Sequence, residues 1–144
     1  MTAADLASAL HEVQAKLAGA HLVAEFAHGM DNRDPDRAMA TWHPRGVFTI
    51  APDTVLDGLS AVRAHLERMW AAYPEVYHWF TNLSISVAGE AAMHGECRVC
   101  ALLRSRSGTT IHGVGTDVFE CTKETGDWLF SGHALTIHRW EPAA

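Results

Sequence analysis

The spacing of apolar residues changes once along this chain, and that change sets the fold class. Up to about residue 75 apolar side chains recur every three or four positions, and from Val76 onward they alternate with polar ones. A helix gathers residues three and four apart on one face, whereas a strand gathers every second residue. Helices therefore come first and a sheet follows, which predicts the α+β class. In the first helix Leu6, Leu10, Val13, Leu17, Ala20, Ala24 and Ala27 form one row, expected to face the core.

Asp34 followed by Pro35 reads as an N-cap with proline at the first helical position. A short second helix is expected from Pro35 to Trp42, ended by His43-Pro44-Arg45-Gly46. Val47–Ile50 reads as a strand, with Thr54-Val55-Leu56 pairing back across Pro52-Asp53. A third helix, roughly Ala61 to Tyr73, turns Val62, Leu66 and Met69 to the core and stops at Pro74. Four longer strands follow: one from Val76, then Met93–Arg104, Thr110–Cys121 and Trp128–Arg139, joined by tight turns. Such a meander predicts a curved antiparallel sheet wrapped around the first helix, with a pocket at the open end of the cone.

Several classes of function are disfavoured at once. A net charge of −6 argues against binding nucleic acid or an anionic membrane surface. No apolar run approaches the ~18 residues of a membrane-spanning helix. The opening Met1-Thr2-Ala3-Ala4-Asp5 lacks the basic start of a secretory signal. Three cysteines are best read as free thiols in a reducing cytoplasm. With 48% apolar residues, no internal repeat and no linker, residues 1–144 are expected to form one domain with a substantial core.

Two residues stand out for chemistry. Asp31 falls one step past the end of the apolar row of the first helix. A carboxylate directed inward needs a partner; the plainer reading is that it caps the turn Asp31-Asn32-Arg33-Asp34. His78 opens the first long strand among aromatics, in Tyr77-His78-Trp79-Phe80-Thr81-Asn82, and suits a general base if its ring is held. Strict alternation sets His78 opposite Leu83, Ile85 and Val87, so either a bulge near Thr81 redirects it or the pocket lies on the polar face. Cys97-x-x-Cys100 lies within a strand, where that spacing puts the thiols on opposite faces and disfavours a metal or redox pair. His94 and His112 sit on neighbouring strands and could meet across the sheet, without a metal motif around them. Phe48, Trp70, Trp79 and Phe80 are candidate apolar pocket walls, while Arg104 and Arg106 flank a turn and are expected to be solvated.

Asp31 after a long helix, His78-x-x-x-Asn82 opening a strand, Gly89-Glu90-x-Ala92 and the final Gly126-x-Trp128 strand together resemble the SnoaL-like branch of the nuclear transport factor 2-like superfamily. The resemblance spans nearly the whole chain and implies the cystatin-like cone. It is nearest to small lyases of the scytalone dehydratase, bile-acid 7α-dehydratase and hexachlorocyclohexane dehydrochlorinase types. It implies an Asp31–His78 pair in which the carboxylate orients the imidazole that removes a proton from carbon, with no metal or organic cofactor. It also implies that His133 takes the place of a pocket cation on the last strand, with Leu135 on the same face. A histidine there is a weaker cation than arginine, which puts halide elimination in doubt. The tyrosine that dehydratases carry near the aspartate is missing, and His28, one turn back, is the candidate replacement donor.

The resulting expectation is a cofactor-independent, dehydratase-type lyase acting on a small apolar, cyclic molecule. An isomerase or cyclase of a polyketide or steroid-like ketone is the alternative within enzymes. A non-catalytic small-molecule-binding or interaction protein is the alternative outside them. Apolar residues on both faces of the last strands predict a homodimer or homotrimer.

Overall fold

The computed structural model describes residues 1–143. The elements are α1 (Ala3–Asp31), α2 (Pro35–Met39), β1 (Trp42–Ala51), β2 (Thr54–Asp57), α3 (Leu59–Ala72), β3 (Glu75–Ala88), β4 (Ala92–Arg104), β5 (Thr110–Thr122) and β6 (Leu129–Pro142). The long first helix packs against a six-stranded, curved and unclosed sheet, so the α+β class stands.

Helix α1 starts at a reciprocal cap: the Thr2 side chain accepts from the Asp5 backbone N–H, and the Asp5 carboxylate accepts from the Thr2 N–H. Its buried face is Ala15, Gly19, Leu22, Val23, Phe26, Gly29 and Met30. This is not the expected row: Leu6, Leu10, Val13 and Leu17 are each more than half exposed. The helix is apolar on two sides, and the side with small residues faces inward. A Cβ at Gly19 would meet Ile85 and Met93 at 2.8 Å, and one at Gly29 would meet the backbone of Ala38 on α2. Glycine at these two positions lets the sheet and α2 approach the helix more closely than a row of leucines would allow.

The strand order is β2-β1-β6-β5-β4-β3. Strands β3 to β6 form the expected antiparallel meander, but β1 runs parallel to β6, so the sheet is not wholly antiparallel. Helix α2 is shorter than expected, and Trp42–Gly46 belong to β1. The Phe130 N–H donates to the Thr41 carbonyl at 2.8 Å, so β6 draws this segment into the sheet before helix can continue. Asp34 caps α2 as expected, accepting from the Arg37 N–H. Val62 and Leu66 of α3 are fully buried with Phe26, Phe119 and Phe130, and Trp70 ties α3 to α1 by donating Nε1–H to the Met30 carbonyl at 2.8 Å.

Strand β3 carries one extra residue against β4, because Thr81 pairs with Arg98 while Ser84 pairs with Glu96. Asn82 adopts a positive φ of 54° at this point, which asparagine tolerates better than most residues. Before the bulge Val76, His78 and Phe80 face inward; after it Ile85 and Val87 do. No helix among the described residues is long and apolar enough to cross a membrane.

Candidate active site

Between α3, the end of α1 and the concave face of the sheet lies a cavity of about 430 Å³. That is in the range of sites that enclose a small organic molecule. Its walls are mostly apolar, with Met30, Phe48, Leu66, Met69, Val99 and Leu135 among them. The polar side chains lining it are His65, Arg68, Tyr73 and His78.

His78 is held at two points by one carboxylate. Its ring Nδ1 lies 2.7 Å from Asp31 Oδ1, and its backbone N–H donates to Asp31 Oδ2 at 2.9 Å. A carboxylate only accepts, so Nδ1 carries a proton, and the tautomer this contact selects for a neutral ring has its lone pair on Nε2. Asp31 is the last residue of α1, where the helix dipole disfavours a negative charge; the two donors from His78 offset that. Both side chains are largely but not fully buried. Phe80 stacks on the imidazole, with ring centroids 6.2 Å apart. The bulge at Asn82 is what turns His78 to this face.

The other expected site residues divide. Phe48 and Leu135 line the cavity. Trp70 does not: it is buried in the α1–α3 junction. Trp79 is 52% exposed on the outer face of the sheet, opposite His78. Phe80 contributes through its stacking on His78 rather than as a wall. His28 lies on the exposed side of α1 and cannot serve as a donor to the site.

His133 is also absent from the cavity wall. It lies one pleat below Leu135, 4% exposed, with Nδ1 2.7 Å from Asp117 Oδ2. Rings of Phe26, Trp42, Phe48, Phe119 and Phe130 surround it. His133 Nε2, Asp117 Oδ1 and Trp42 Nε1 are buried without a hydrogen-bond partner among the described residues. His133 is thus part of a polar pair inside the aromatic core, beside Phe48, its partner in the β1–β6 ladder, which lines the cavity where His133 does not.

The model of the SnoaL-like domain matches residues 11–133. This chain belongs to the SnoaL-like domain family. Solved structures agree in fold. A hexachlorocyclohexane dehydrochlorinase, LinA-type3, from Novosphingobium barchaimii superposes with a TM-score of 0.86 at 19% identity, over 94% of each chain. A protein from Novosphingobium aromaticivorans assigned as a scytalone dehydratase gives 0.84 at 17% identity, over 92% of this chain and 89% of that one. An NTF2-like protein with a cystatin-like fold, also from Novosphingobium aromaticivorans, gives 0.81 at 16% identity, over 95% and 90%. No curated protein matches in sequence.

Sequence reasoning missed His65, Arg68 and Tyr73 in this SnoaL-like chain, and also Asp117. The first two are three apart on α3, the signature of one helical row, and they flank core residue Leu66. Burial, and then the nearby Arg68 charge, push the His65 pKa below its usual value. Cys97 is buried and Cys100 exposed, on opposite faces as expected, and burial pushes the thiols of Cys97 and Cys121 up to about 12. His94 and His112 do not meet: His94 pairs with Glu120 and His112 with Leu102, far apart along the β4–β5 ladder. Arg104 and Arg106 are exposed, as expected, and each makes one surface contact: Arg104 reaches Glu75 and Arg106 donates to the Ala71 carbonyl. No group of three or more metal-binding side chains converges among the described residues.

Proposed function

We propose that this chain is a cofactor-independent lyase that performs a dehydratase-type elimination on a small apolar, cyclic molecule. The supporting observation is a cavity-lining imidazole whose Nδ1–H is fixed by Asp31, leaving Nε2 as the base. His78 Nε2 takes a proton from carbon. The electron pair of that C–H bond becomes the new π bond, and the leaving group on the adjacent carbon departs with its own bonding pair. Asp31 stabilises the imidazolium until the proton passes to the departing hydroxide or to solvent. The apolar walls exclude water from the carbanion-like stage.

Isomerisation of a polyketide or steroid-like ketone is the second reading, favoured by one observation: Tyr73 lines the cavity and offers a phenol O–H to an enolate oxygen. Both readings use His78 as base.

The chain works as one domain and as a homodimer or homotrimer. Tyr77 and Trp79 leave apolar surface on the outer face of the sheet. Three free thiols fit a reducing cytoplasmic setting.

The test is a turnover screen with cyclic alcohols and halides bearing an acidified C–H, read by the absorbance of the new double bond. Turnover that disappears in His78→Ala, with thermal unfolding unchanged, supports the lyase. Absence of turnover across the screen leaves a non-catalytic binding protein as the better description, and turnover that persists in His78→Ala would remove His78 from the role of base.

A further inference from the structure

Helix α3 contributes to the cavity a cation that no other side chain or backbone group among the described residues engages. Arg68 lines the open side and makes no hydrogen bond or ion pair among the described residues. Every other arginine has a partner: on the same helix Arg63 pairs with Asp36 and Glu67, and Arg33 donates to the Trp70 and Pro74 carbonyls. No aspartate or glutamate lines the cavity, although the chain carries a net charge of −6. His65, one helical turn before Arg68, lines the same cavity. Its lowered pKa keeps it neutral near pH 7, so it adds a neutral N–H rather than a second charge. A guanidinium left free beside an apolar, acid-free cavity is arranged for an anion that arrives with the ligand.

We propose that Arg68 sets the substrate class of this cavity: an apolar body carrying one anionic group, a carboxylate or its sulfonate or phosphate equivalent, which pairs with Arg68 at the open side. The ring system then lies inward against Met69, Val99 and Leu135, toward His78. This rests on the reading of the cavity as the substrate site and adds the ligand's charge to it.

Two fluorescent probes share one skeleton and differ in charge. 1-Anilinonaphthalene-8-sulfonate carries a sulfonate, and N-phenyl-1-naphthylamine is the same ring system without it. Each is titrated against the full chain and against Arg68→Gln, Arg68→Lys and Ala101→Trp. Ala101 lines the cavity, so tryptophan there occupies it. The sulfonate probe is expected to bind Arg68→Gln about fivefold more weakly than the parent chain, as for one charge-assisted contact at a partly exposed site. The neutral probe is expected to change less than twofold, and Arg68→Lys to retain most of the difference. Ala101→Trp is expected to abolish saturable binding of both. Equal weakening of the two probes in Arg68→Gln, no weakening of the sulfonate probe, or sulfonate binding that survives Ala101→Trp would overturn the proposal. The readout needs no turnover. A chain without elimination activity can therefore still show the charge preference, and loss of the preference leaves the Asp31–His78 reading intact.

Discussion

Asp31 grips His78 by ring and backbone together, at 2.7 Å and 2.9 Å, one carboxylate oxygen for each. An amide in its place has only one accepting oxygen. With its oxygen on the backbone N–H, the amide of Asp31→Asn turns its NH2 toward Nδ1 and favours the tautomer that carries the proton on Nε2, where the base is needed. If His78 is the base, Asp31→Asn should lower kcat by about 10²–10⁴, the range for a general base that loses its orientation. The check is kcat against KM on the substrate found by screening. A rise in KM with kcat unchanged would show that the pair binds rather than reacts.

The buried pair His133–Asp117 predicts a sign change in a double-mutant cycle. His133→Phe alone leaves the Asp117 carboxylate unpaired among aromatic rings and should cost about 3–5 kcal/mol. Adding Asp117→Leu removes the stranded charge and should recover most of that loss. Urea unfolding of the four chains measures it. Simple additivity of the two substitutions would mean that the pair is not coupled.

His65 gives a pH dependence whose sign can be worked out. Its folded pKa is lowered by burial and by Arg68. Below its ordinary value near 6.5 the unfolded chain binds the proton and the folded chain resists it. Its contribution to stability is therefore in place above pH 6.5 and declines as pH falls below that value. His65→Gln should flatten the decline in urea midpoint on going from pH 7.5 to pH 5.5. A decline of unchanged slope would assign it to other groups.

Thiol reactivity should single out Cys100. It is exposed, whereas Cys97 and Cys121 are buried with pKa values pushed up to about 12. At pH 8 a disulfide reagent should modify one thiol per folded chain quickly and all three after denaturation. Rapid modification of two in the folded chain would contradict the burial of Cys97 or Cys121.

Much of this fold can be read from periodicity, since the change of spacing near Val76 separates helices from strands. Asp31 and His78 are also legible, each as a polar residue at the end of an element. The inward face of α1 is not, because a strict three-four row of leucines outweighs Ala15, Gly19 and Gly29 in any reading by hydrophobicity. Close packing favours the small residues, and only the sheet and α2 reveal that. His133 is misread for a related reason. Strand parity places it on the concave face but does not say how deep, and the aromatic rings packed around it fill that part of the cone. Arg68 is hidden because its role depends on what it does not touch.

The single additional residue in β3 decides which side chains a ligand meets. With it, Val76, His78 and Phe80 point inward, and Tyr77 and Trp79 point out. Remove one residue there while keeping the pairing after Ser84, and the two sets trade places: the imidazole goes to solvent, and the phenol and indole enter the cavity. The chemistry of this cone is therefore keyed to chain length at one position. A one-codon deletion near Asn82 would rewrite the cavity wall more thoroughly than any single substitution within it.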